Sequence, residues 1–145
     1  MEYTAHTRDE LFVVAGTILK ELTPVQKRAT LVTLSGELGA GKTALTQEIA
    51  KQLGVYTAVQ SPTFVIQKSY RVDDDHFKTL VHIDAYRLTS FKDLEDIHIK
   101  ETLSEPTNLV IIEWPECVPG LPQADVALRV TPQEDGERTI SYEAE

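Results

Sequence analysis

Leu31-Val32-Thr33-Leu34-Ser35-Gly36-Glu37-Leu38-Gly39-Ala40-Gly41-Lys42-Thr43 is the stretch that decides the fold. Leu31 to Leu34 reads as a short buried strand. The eight residues from Gly36 to Thr43 match G-x-x-x-x-G-K-[ST] in full. Glycines at such a turn let backbone N–H groups point inward at phosphate oxygens. The helix that follows aims its positive N-terminal dipole at the same place. Lys42 supplies a mobile charge for β- and γ-phosphates. Thr43 offers a hydroxyl ligand for Mg²⁺. The dinucleotide spacing G-x-G-x-x-G is not met, which removes a nicotinamide or flavin reading.

The helix after the loop carries Leu45, Ile49 and Leu53 on one stripe, with Gly54 placed to end it. A nucleotide site also needs a second metal anchor and a group that orients the attacking water. Two further apolar runs end in carboxylates. Leu80-Val81-His82-Ile83 leads to Asp84, and Leu109-Val110-Ile111-Ile112 leads to Glu113. If both strands lie parallel to Leu31–Leu34, both acids reach the sheet edge that bears the loop. Either can then be the metal carboxylate, and the residues alone do not choose. Trp114 follows Glu113 and reads as a rim aromatic or a nucleotide contact. His82 is expected to pack or hydrogen-bond within its strand. Ser61-Pro62-Thr63-Phe64 occupies the place of a γ-phosphate switch, or of a plain turn. Arg87 can stabilise developing charge or make a structural ion pair, and Arg138 is a weak candidate for the base pocket.

Helix and strand signals alternate along the rest of the chain. Thr7 and Glu10 fit a capping box before Leu11, Val14, Ala15, Ile18, Leu19 and Leu22, and Pro24 closes that helix. Phe64–Val72 and Phe77–Ile83 read as strands around Asp73-Asp74-Asp75, a solvated turn rather than a metal cluster. Ser90 and Asp93 suggest a second capping box. Val126–Val130 and Arg138–Tyr142 flank Asp135-Gly136 as a final hairpin. The expected class is α/β, a parallel core with antiparallel additions.

Length and charge narrow the function. The 145 residues are expected to form one domain, 1–145. Asp and Glu number 23 against 14 Lys and Arg, a formal charge of −9. Such a chain is a poor candidate for gripping a nucleic-acid backbone by itself. The longest aliphatic run, Leu109–Ile112, is far below the ~20 residues of a membrane span. Met1-Glu2-Tyr3 opens without a basic-then-apolar pattern, so no signal peptide is expected. Cys117 is the only cysteine, which fits a cytoplasmic location and a small buried hydrophobe.

Other nucleotide proteins fit less well. The only Asn is Asn108, followed by Leu109, so the guanine-reading N-K-x-D is absent. The ABC signature L-S-G-G-Q is absent too. A small-molecule kinase usually needs an arginine-bearing lid, and the six arginines here are scattered.

Four motifs in order, G-E-L-G-A-G-K-T at 36–43, S-P-T-F at 61–64, H-I-D-A-Y-R-L at 82–88 and I-E-W-P-E at 112–116, resemble one family across the whole chain. It is the bacterial tRNA threonylcarbamoyladenosine biosynthesis ATPase family (TsaE, formerly YjeE). Glu37 stands where Asp is typical and Ala85 where Leu is typical, neither removing a group the chemistry needs. The resemblance implies a P-loop NTPase-like three-layer fold, with a mostly parallel central sheet and helices on both faces. It implies an ATPase using ATP and Mg²⁺, working with a threonylcarbamoyl-transferase subunit and its dimerising partner subunit, and meeting tRNA only indirectly. Gly36, Glu37, Leu38, Gly39, Ala40, Gly41, Lys42 and Thr43 would hold the nucleotide. Thr63 would be the switch residue and Trp114 a neighbour of the site. Lys42, Asp84 and Glu113 would carry catalysis, with Thr43, Asp84 and Glu113 serving the metal. An acidic surface would then face a partner rather than tRNA. A small-molecule P-loop kinase and a nucleotide-gated assembly module are the alternatives.

Overall fold

In the computed structural model, residues 2–22, 24, 27–37, 39, 41–55, 66–133 and 136–142 are described. The elements are β1 (Glu2–Ala5), α1 (Arg8–Glu21), β2 (Thr30–Ser35), α2 (Lys42–Gln52), β3 (Gln67–Arg71), β4 (Thr79–Asp84), α3 (Phe91–Glu95), α4 (Ile99–Ser104), β5 (Asn108–Glu113), a 3₁₀ turn at Pro115–Cys117, β6 (Val126–Pro132) and β7 (Arg138–Tyr142). Among the described residues, seven strands form one sheet in the order β1-β7-β6-β2-β5-β4-β3. The centre is parallel: β6, β2, β5 and β4 run the same way. β3, β7 and β1 add antiparallel edges. The expected α/β class, with a parallel core and antiparallel additions, is the observed one.

Why the centre is parallel follows from its residues. Strands buried on both faces need continuous apolar runs, and Leu109, Val110, Ile111 and Ile112 are all fully buried. Alternate side chains then serve two cores. Leu109 and Ile111 pack with Leu11, Ile18, Leu45 and Ile49 of α1 and α2. Val110 and Ile112 pack with Leu94, Ile99 and Val118 on the opposite face. Each such side chain contributes about 1.5–3 kcal/mol by leaving water. The result is a helix–sheet–helix sandwich.

Local signals set the helix ends. Thr7 accepts the Glu10 N–H at 3.1 Å, while the Glu10 carboxylate takes the His6 N–H rather than that of Thr7, so only half of the capping box forms. Asp93 accepts from the Thr89 and Ser90 N–H groups before α3. α2 ends at Gly54, whose φ of +84° favours glycine. There the Val55 N–H reaches Ala50 O and the Gly54 N–H reaches Lys51 O, a Schellman closure. In the acidic turn, Asp74 accepts from the His76 and Phe77 N–H groups. The β3–β4 hairpin is shorter than the sequence suggests, because Val72 and Phe77 leave the ladder and are buried beside it.

Register places the acids. Asp84 pairs with Glu113 across β4 and β5, Glu113 with Leu34 across β5 and β2, and Ser35 with Arg129 across β2 and β6. The carboxyl edge of the parallel sheet therefore carries these groups side by side, where ligands of open α/β sheets gather.

Candidate functional site

The site grows out of the end of β2. Gly36, Gly39 and Gly41 have φ values of 143°, 81° and 103°, in the region that favours glycine. These turns bring the chain sharply back into α2. Gly41 is the helix N-cap and offers no side chain to the first-turn N–H groups, and that turn contains no acidic residue. A helix start left this way is an anion cradle. Leu38 and Ala40 lie outside the described residues.

Lys42 is only 5% exposed. Its Nζ donates to Gly36 O at 2.5 Å and to Glu37 O at 2.9 Å. The same ammonium lies 4.0 Å from the centre of the Trp114 ring, a cation–π contact. Burial pushes the Lys42 ammonium below its usual range, and the charges of Glu113, Glu116 and Asp84 oppose that push. Trp114 reaches this position because it takes a left-handed backbone, φ 61° and ψ 51°. Its N–H donates to Leu34 O at 3.1 Å. A bulky residue held at positive φ is strained, and here the strained turn swings the indole over the lysine. The Tyr86 ring lies tilted against the indole, with centroids 4.9 Å apart and planes at 52°, and is half exposed.

The two strand-end carboxylates differ. Glu113 is 3% exposed, and the Thr43 hydroxyl donates to it at 3.3 Å to Oε2 and 3.5 Å to Oε1. Asp84 accepts the Tyr86 N–H at 3.0 Å and is more open. Geometry thus joins Glu113, rather than Asp84, to the loop. His82 is fully buried, and its Nε2 lies 2.5 Å from Glu113 Oε2. The sequence reading kept this ring within its own strand. It bonds instead to the neighbouring strand, two positions beyond its register partner Ile111.

Two arginines also approach the loop. A Cβ placed on Gly41 would lie 2.8 Å from Arg138 Nε, so the Arg138 side chain runs against the loop backbone. Arg129 sits in register with Ser35, close enough for its charge to depress the Lys42 ammonium. Arg129 was not singled out by sequence, because its nearness comes from β6 pairing with β2. Cys117 is half-buried; burial, then the charges of Glu116 and Asp84, push its thiol up, so it stays protonated. Thr63, with the rest of 56–65, lies outside the described residues.

The family model described as "Threonylcarbamoyl adenosine biosynthesis protein TsaE" matches residues 7–140. The chain belongs to the TsaE family. A Streptomyces coelicolor relative, named tRNA threonylcarbamoyladenosine biosynthesis protein TsaE, is 44% identical over 98 residues, 67% of this chain and 64% of that protein. A Treponema pallidum relative of the same name is 35% identical over 130 residues, 88% of this chain and 87% of that one. The crystal structure of Bacillus subtilis YdiB superposes with a TM-score of 0.70 at 25% identity, covering 98% of this chain and 83% of that one. The family is thus reached by sequence, and the fold is shared with a solved structure. Among the described residues, no helix is long and apolar enough to cross a membrane.

Proposed function

We propose that residues 1–145 are one P-loop ATPase domain, a Mg²⁺-dependent ATP hydrolase. Its place is the cytoplasmic machinery that forms N6-threonylcarbamoyladenosine beside the tRNA anticodon. The observation that carries this reading is the meeting of Lys42, Thr43 and Glu113 at an uncapped helix start. Membership of the TsaE family supports the pathway.

The residues fit both ATP and Mg²⁺. The uncapped N–H groups of α2 and the Lys42 donors, now spent on loop carbonyls, suit the β- and γ-phosphates. Gly36, Glu37, Leu38, Gly39, Ala40 and Gly41 supply the loop backbone. The Thr43 hydroxyl and the Glu113 carboxylate, 3.3 Å apart, are a hard-oxygen pair of the kind Mg²⁺ prefers. Mg²⁺ would neutralise charge that builds on the phosphates. Asp84, in register with Glu113 at the open edge, would orient water or serve the metal. Trp114 covers the lysine and limits solvent. Thr63 is the switch position by resemblance.

The partners in this reading are the threonylcarbamoyl-transferase subunit and its dimerising partner subunit. A chain of charge −9 suits a basic face on one of them and leaves tRNA to be met indirectly. The test is ATP turnover by the chain combined with those subunits. Lys42→Ala and Glu113→Ala are each expected to lose turnover by at least 100-fold, on the scale of removing one preorganised group. Wild-type turnover in either variant would overturn the assignment. Transfer of the γ-phosphate to a metabolite would establish a kinase instead. Repeated rounds of tRNA modification by an ATP-binding but hydrolysis-dead variant would establish a nucleotide-gated assembly module.

A further inference from the structure

His82 stands in an aliphatic strand, between Val81 and Ile83, and is fully buried. An imidazole in that setting loses its hydration. It regains one short bond, Nε2 to Glu113 Oε2 at 2.5 Å. Its other nitrogen, Nδ1, is buried and finds no partner among the described residues. A leucine or isoleucine would fill this slot without leaving a polar atom unsatisfied, so packing alone does not account for the ring. What the ring does is hold one particular oxygen. With the proton on Nε2 the ring donates to Oε2, the same oxygen that lies 3.3 Å from the Thr43 hydroxyl.

We propose that His82 is a positioning residue that fixes the rotation of the Glu113 carboxylate against Thr43, and so sets the affinity of this site for a divalent cation. The inference rests on the metal-assisted nucleotide reading given above and adds to it a buried partner one step from the metal. Without the imidazole, Glu113 would lose the bond that selects its rotamer. A carboxylate that must be ordered during binding holds a cation less tightly, and loss of such outer partners typically costs 10–100-fold in metal affinity. Nucleotide binding without metal depends on the loop and Lys42, so it is left alone.

The experiment measures Mn²⁺ affinity by electron paramagnetic resonance on the full chain loaded with ADP, beside ADP affinity in EDTA by calorimetry. His82→Leu is expected to weaken Mn²⁺ by 10–100-fold while ADP affinity in EDTA stays at the wild-type value. His82→Gln, whose amide N–H can reach the place of Nε2, is expected to recover Mn²⁺ affinity to within a few-fold. If His82→Leu fails to fold, His82→Asn carries the same expectation, since its amide stops short of Glu113. Wild-type Mn²⁺ affinity in the folded leucine or asparagine variant would overturn the proposal. Equal weakening in the glutamine variant would overturn it too, because the donated bond would then be irrelevant. A wild-type chain that binds ADP but no Mn²⁺ would overturn the metal-assisted reading itself and the inference with it.

Discussion

The Lys42 ammonium lies 4.0 Å from the centre of the Trp114 ring, and Trp114 is the only tryptophan in the chain. The lysine is thereby held against an aromatic face and two loop carbonyls. A phosphate in the loop would compete for the same three donors.

Trp114 fluorescence should therefore report occupancy. Titration with ADP is expected to change the emission intensity or maximum as Lys42 leaves the ring, with saturation at one equivalent. Lys42→Met removes the reporter contact, and its emission should not respond to ADP. An unchanged wild-type spectrum at saturating ADP would mean that the ammonium stays on the indole.

Gly41 should not tolerate a side chain. At φ 103°, alanine pays the left-handed penalty of about 1–2 kcal/mol. Its Cβ also meets Arg138 Nε at 2.8 Å. Gly41→Ala is expected to lower the urea midpoint and weaken ADP binding. Adding Arg138→Ala relieves the clash but not the dihedral strain, so it should restore only part of the stability. Full recovery in the double variant would show that the backbone conformation costs little.

Far from the site, Arg28 forks onto Asp125 with two 2.8 Å bonds, and Asp125 also accepts the Leu31 N–H at 2.8 Å. Burial raises the Asp125 carboxyl, but the Arg28 fork and the Leu31 N–H outweigh it and hold the group below its usual range. A carboxyl depressed in the folded state stabilises above its unfolded value, about 3.9, and that stability is lost as pH falls through the folded value. Arg28 is 48% exposed on its side chain, so solvent screening limits the contribution to about 1 kcal/mol. Asp125→Asn should cost that amount in urea unfolding above pH 5, and the difference from wild type should vanish in stronger acid. A difference that persisted unchanged at low pH would contradict the ionic origin.

Much of this was legible from residues alone because the signals were local. The loop spacing, the Gly54 stop and the carboxylates ending two aliphatic runs each lie within a few positions of one another. β1 was not legible: Glu2–Ala5 is a four-residue edge strand whose pairing with β7 is set by the far end of the chain. α4 escaped because its N-cap is His98 in a left-handed conformation rather than Ser, Thr, Asp or Asn. Asp84 and Glu113 could not be ranked, since both end strands in identical fashion. Their difference comes from β2 flanking β5, which brings Thr43 to Glu113 across 70 residues. The His82–Glu113 bond spans 31 residues and depends on the same parallel register.

A Mg²⁺-assisted ATP site built on Lys42, Thr43 and Glu113 would show itself in calorimetric titration of ATP into the full chain, with Mg²⁺ and with EDTA. One equivalent should bind, more tightly with Mg²⁺ than without. Glu113→Ala should erase the Mg²⁺ advantage, and Lys42→Ala should weaken binding under both conditions. ATP affinity indifferent to Mg²⁺ in the wild-type chain, or unaltered by Lys42→Ala, would rule out such a site.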